Sequence, residues 1–97
     1  MPTRITQIDD VERRATVLRI EGSLVLADAE LIERICRDLQ MQSSHTITLD
    51  LADLNHLDSD SASVLGRLKR EKGVSIEGVH LFIQSVIKLS ERNEKAS

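Results

Sequence analysis

The chain is predicted to fold as an α/β domain, a small four-stranded mixed sheet with its helices packed largely on one face. Three observations predict it. Segments near 28–40, 59–72 and 81–91 carry apolar residues at helical spacing, and they alternate with short segments rich in β-branched residues. The resulting order is β-β-α-β-α-β-α, and strand-helix-strand units imply parallel neighbours joined by right-handed crossovers. The first two strands lie only a polar connection, "DDVERR", apart, which suits an antiparallel hairpin at the edge.

The elements follow in order. Residues 4–8 and 15–20 ("ATVLRI") are predicted strands, the second with Thr16, Leu18 and Ile20 on one face and Arg19 on the other. Gly22 then breaks the chain. Residues 28–40 ("DAELIERICRDLQ") are a predicted helix with the stripe Ile32, Ile35, Cys36 and Leu39, while Glu33, Arg34, Arg37 and Asp38 face water. Asp28 and Glu30 suit its N-terminal dipole. "MQSSH" is a loop, and "TITLDL" (46–51) alternates as a strand does. Leu51, Leu54 and Leu57 continue an apolar path to a second helix over 59–72, closed by Gly73 after Lys69, Arg70 and Lys72. "VSIEGVH" (74–80) is a fourth strand. A last helix places Phe82, Val86 and Leu89 on one face with Ile83 and Ile87 beside them, and the polar residues 91–97 are expected to fray.

Composition narrows the function. Ninety-seven residues suit one domain, spanning 1–97, with one core and little room for a deep substrate pocket. Phe82 is the single aromatic residue and the net charge is -3, so base stacking and phosphate binding both lack their usual residues. No nucleic-acid partner is expected. Cys36 is the single cysteine and falls on an apolar helix face, as a small buried thiol. The first residues lack the apolar core of a signal peptide, and no apolar run approaches the roughly 20 residues that span a bilayer, so a cytoplasmic protein without membrane insertion is expected.

Chemistry-bearing patterns are few. His45, His56 and His80 are scattered, no second cysteine exists, and the four glycines are isolated, so neither a metal nor a phosphate-binding cofactor is expected. A serine hydrolase built from Ser59, His56 and Asp53 or Asp58 has the residue types but no nucleophile-elbow pattern around Ser59. No catalytic residue is therefore assigned. The basic run "RLKREK" (67–72) spreads over the solvated side of its helix. What remains is "LDSDSASVLGRLK" (57–69), where an Asp-Ser-Asp-Ser step opens a helix. Small polar side chains there cap the free N–H groups, and the same groups favour a nearby anion, including a phosphorylated serine.

These residues carry a resemblance. "ITLDLADLNHLDSDSASVLGRLKREKG" resembles the central segment of STAS domains, named for sulfate transporters and anti-sigma-factor antagonists. Asp50-Leu51, Leu57, Asp58-Ser59 and Val64-Leu65 stand where that family has a strand ending in Asp-Leu, an apolar residue after a short loop, Asp-Ser-Ser-Gly, and the helix it opens. "LRIEGSLVLADAELIERI" is similar to its strand, Gly-x-Leu turn and first helix, and "KGVSIEGVHLFIQSVIKL" to its last core strand and following helix. Asp60 replaces the family's second serine, Ser61 its glycine, and Val25 a frequent acidic residue after Gly-x-Leu. The resemblance implies a non-catalytic protein-protein interaction module. Its partner would be an anti-sigma factor that is also a serine kinase of the GHKL type. The implied phosphorylation site is Ser59, with Ser61 second and Ser63 third, and the implied contact residues are Leu24, Val25, Asp58, Ser59, Asp60 and Ser61. The alternative is a cytoplasmic STAS subunit of a phospholipid-transport ABC system, bound to the ATPase subunit. Those subunits too end soon after the last helix.

Overall fold

The computed structural model describes residues 3–78. Strands β1 (Arg4–Asp10) and β2 (Ala15–Leu24) form an antiparallel hairpin in unbroken register, from Arg4 opposite Glu21 to Asp10 opposite Ala15. The four-residue turn is closed by the Arg14 N–H on the Val11 carbonyl and by the Arg13 N–H on the Asp10 carboxylate. Its last residue, Arg14, has a φ of 52°, in the left-handed region.

Helix α1 (Leu26–Gln42) follows, then β3 (Thr46–Asp50), β4 (Leu54–Leu57), α2 (Ser59–Glu71) and β5 (Ser75–Glu77). The sheet order is β1-β2-β3-β5, with β3 parallel to β2 and β5 parallel to β3. The mixed sheet, its antiparallel edge hairpin and its parallel crossovers are those the element order predicts. Gly73, at a φ of 67°, ends α2 as expected and turns the chain so that the Val74 N–H reaches the Leu68 carbonyl.

Among the described residues the sheet has five strands, one more than predicted. β2 does not break at Gly22 but runs on to Leu24, because β4 pairs with its last three residues, Gly22 with Leu54, Ser23 with His56 and Leu24 with Leu57. β4 thus resumes along β2 the pairing that β3 leaves at Asp50. The register shifts between Gly22 and Ser23, the Gly22 N–H bonds the Asp53 carbonyl at 3.2 Å, and Gly22 takes a φ of 87° that suits glycine. The shift removes the alternation that marks a strand in sequence: Leu54 and Leu57 are buried while Asn55 and His56 are exposed. The expected Gly-x-Leu turn, Gly22 to Leu24, is therefore the end of β2, and α1 begins two residues on.

α1 and α2 pack on each other and on one sheet face. Leu18, Ile20, Leu24, Ile47 and Leu49 meet Ala29, Ile32 and Cys36 of α1 and Ala62, Val64, Leu65 and Leu68 of α2 in one aliphatic core. Ile35 and Leu39 pack at its border. The expected last helix, the fraying tail and the end of the fourth strand lie outside the described residues.

Candidate functional site

Among the described residues, both βα connections at one rim of the sheet are a single residue long. Val25 alone joins β2 to α1, and Asp58 alone joins β4 to α2. The pairing of Leu24 with Leu57 brings them side by side. Six predicted contact residues gather here, but they divide by depth. Val25, Ser59 and Asp60 are exposed and Asp58 is half-buried, whereas Leu24 and Ser61 are buried. The latter two hold the rim together: the Ser61 hydroxyl donates to the Leu24 carbonyl at 3.3 Å.

α2 starts where the sequence places it because Asp58 caps it. The Asp58 backbone is extended, and its carboxylate accepts the Ser61 N–H at 2.7 Å. The hydrogen-bonding groups of Ser61, with a smaller contribution from the charge of His56, hold the Asp58 carboxyl below its ordinary pKa. Ser59 is the first residue of the helix and is exposed to water. The Ser63 hydroxyl is turned back onto the Ser59 carbonyl at 3.1 Å. α1 has no such cap, since Val25 offers no side-chain acceptor.

Beside the rim, α1 and α2 leave an open groove lined by Leu26, Glu30, Glu33, Asp60, Ser63, Val64 and Arg67. The sequence placed Arg67 and Glu33 on solvated faces. Instead they clasp across the helix pair through two hydrogen bonds of 3.0 Å each. The i, i+3 or i, i+4 spacing that betrays an ion pair within one helix is absent when the partners lie on two. Val25 and Leu26 add exposed apolar surface at the mouth.

The hydrolase constellation is not assembled. Asp53 is bound to Arg19, whose Nε lies 3.1 Å away, Asp58 accepts from the Ser61 N–H, and no hydrogen bond joins the His56 ring to either carboxylate or to Ser59. Among the described residues no three His, Cys, Asp or Glu side chains converge as metal ligands, and no helix is long and apolar enough to cross a membrane. Cys36 is a buried free thiol, as expected of its place on α1.

Comparison with known proteins gives this rim its context. The family model for the STAS domain matches residues 4–91. The chain belongs to the STAS domain family. Among solved structures, this STAS domain is similar to that of an anti-sigma-factor antagonist from Rhodobacter sphaeroides, with a TM-score of 0.57 and 21% identity over 78% of this chain and 86% of that one. At that identity the likeness is one of fold. No curated protein matches the chain.

Proposed function

We propose that this STAS domain is a non-catalytic binding module of the anti-sigma-factor-antagonist kind, switched by phosphorylation of Ser59. Its partner is an anti-sigma factor that is also a GHKL-type serine kinase, and both proteins act in the cytoplasm. The observation that carries the reading is the contrast between two serines two residues apart. Ser59 is exposed in the first turn of a capped helix, open to a kinase, while the Ser61 hydroxyl is buried against the Leu24 carbonyl. A phosphate on Ser59 adds up to about two negative charges at a rim that already carries Asp58 and Asp60. Repulsion between unit charges about 5–6 Å apart is roughly 3 kcal/mol at an effective dielectric of about 20, before salt screens it. That opposes the modification in part and makes the modified rim strongly anionic, which suits release of a partner. Exposed Val25 and Leu26 supply the apolar contact of the unmodified state.

The test is phosphosite mapping on the protein from its native host, with affinity capture by the parent chain, Ser59→Ala and Ser59→Asp. Phosphate on Ser59, with capture of the kinase retained by Ser59→Ala and lost by Ser59→Asp, is the expected result. Phosphate on Ser61 instead, or capture indifferent to Ser59→Asp, overturns the switch. Capture of an ABC ATPase by an unphosphorylated chain replaces the partner with that of the transport subunits.

A further inference from the structure

We infer that a second copy of this chain docks on the outer edge of β1, joining two sheets through antiparallel β1–β1 pairing about a two-fold axis at Gln7. β1 is the terminal strand of the sheet, and its inner edge is paired with β2 along all seven residues. Among the described residues nothing pairs with the outer edge. Proteins that keep such an edge solitary shorten it, bulge it, or place proline or charged side chains on it. β1 is seven residues long, in continuous register and without proline or lysine, and its charged residues, Arg4, Asp9 and Asp10, include two of opposite sign, Arg4 and Asp10, that a second copy can pair.

The register follows from the residues. Ile5, Gln7 and Asp9 stand opposite the buried Ile20, Leu18 and Thr16, so they lie on the helix side of the sheet. Arg4, Thr6, Ile8 and Asp10 lie on the other side. A pairing that keeps the two faces continuous must match like with like, which leaves symmetric registers centred on Thr6, Gln7 or Ile8. Centring on Gln7 alone pairs the whole strand. It sets Arg4 opposite Asp10 of the second copy, Thr6 opposite Ile8 and Ile5 opposite Asp9, each twice. Centring on Thr6 leaves Asp9 and Asp10 unmatched, and centring on Ile8 puts Thr6 opposite Asp10 and Arg4 beyond the strand.

Burial agrees with this register. Ile8 is 51% exposed, although its neighbour on β2, Val17, is half-buried. In the pair the two Ile8 side chains become diagonal neighbours, about 7–8 Å apart, and cover each other across the seam. β1 and β4 lie on opposite sides of β2, so pairing at the outer edge of β1 leaves Ser59, which follows β4, open.

Sedimentation velocity on the full chain, from low-micromolar to near-millimolar concentration, reads the association. The parent is expected to shift reversibly from monomer to dimer. Arg4→Asp sets a new carboxylate against Asp10 of the second copy, and Asp10→Arg sets a new guanidinium against Arg4. Each variant alone is therefore expected to associate about tenfold more weakly. Mixing the two variants in equal amounts makes both cross-pairs opposite in sign, and the mixture is expected to recover the parent's dimer. A folding defect in either variant is not repaired by mixing, so this arm reports pairing itself. Gln7→Lys, which brings two ammonium groups together at the axis, is expected to stay monomeric with an unchanged melting temperature. A parent that is monomeric throughout overturns the inference, as does a dimer in which Arg4→Asp, Asp10→Arg and their mixture all behave like the parent.

Discussion

The Ser61 backbone N–H and the Asp58 carboxylate meet at 2.7 Å, and this bond sets the first turn of α2. Asp58→Ala is expected to cost about 1 kcal/mol in a denaturant titration, the usual worth of a helix N-cap. The cost depends on pH. The folded-state pKa of Asp58 is held below its ordinary value of 3.8, so its contribution is full above that value and is lost as pH falls through the folded pKa. The gap in melting temperature between parent and Asp58→Ala should therefore be constant down to about pH 5 and narrow towards about pH 3. A gap that widens on acidification would refute the assignment.

The two serines of the rim should respond unequally to a negative charge. Ser59→Asp faces water at the positive end of a helix dipole and is expected to change stability by less than about 0.5 kcal/mol. Ser61→Asp forces a carboxylate into the core beside the Leu24 carbonyl and the Asp58 carboxylate, at a cost of about 3 kcal/mol or more. Ser61→Ala, which strands that carbonyl, should cost about 1 kcal/mol. Equal tolerance of aspartate at both positions, measured by urea unfolding, would contradict the buried placement of Ser61.

Arg14 occupies the left-handed region at a φ of 52°, which costs an L-residue with a Cβ about 1 kcal/mol. Arg14→Gly relieves that cost but adds freedom to the unfolded chain, for a net gain of about 0.5 kcal/mol. Arg14→Ala keeps the Cβ and should gain nothing. Thermal unfolding of the two variants side by side decides it: the order glycine above alanine is the expected one.

Burial, and then the nearby charge of Glu33, push the Cys36 thiol up to about 11. A neutral thiol in the core is a poor nucleophile. Labelling by a disulfide reagent at neutral pH should proceed at the rate at which the structure opens, and should accelerate in step with unfolding when urea is added. Rapid labelling of the native protein would place Cys36 at the surface.

Most of the architecture was legible because it rests on periodicity. The stripe from Ile32 to Leu39, the Thr16-Leu18-Ile20 face, the start of α2 and the Gly73 stop each follow from a local rule. β4 was not legible, because its register shift makes Leu54 and Leu57 both face inward and breaks the two-residue period. For the same reason Gly22 looked like a chain break, when it is the point at which β2 exchanges one partner strand for another. Of the candidate site, the start of α2 at Ser59 was legible from the small polar step that precedes its apolar stripe, though that step did not single out Asp58 as the cap. The depth of Leu24 and Ser61, and the clasp between Glu33 and Arg67, depend on which elements lie side by side. That is a long-range property with no local signature.

The two single-residue connections, Val25 and Asp58, also bear on how such a domain diversifies. A longer loop is the common way for a scaffold to acquire a new specificity, since insertions are tolerated where the backbone is slack. Here there is no slack: an inserted residue at Val25 or Asp58 would pull Leu24 from Leu57 or displace the start of a helix. In the proposed role, a new specificity at this rim has to come from exchanging the outward side chains at positions 25, 26, 59 and 60, with the path of the backbone held constant.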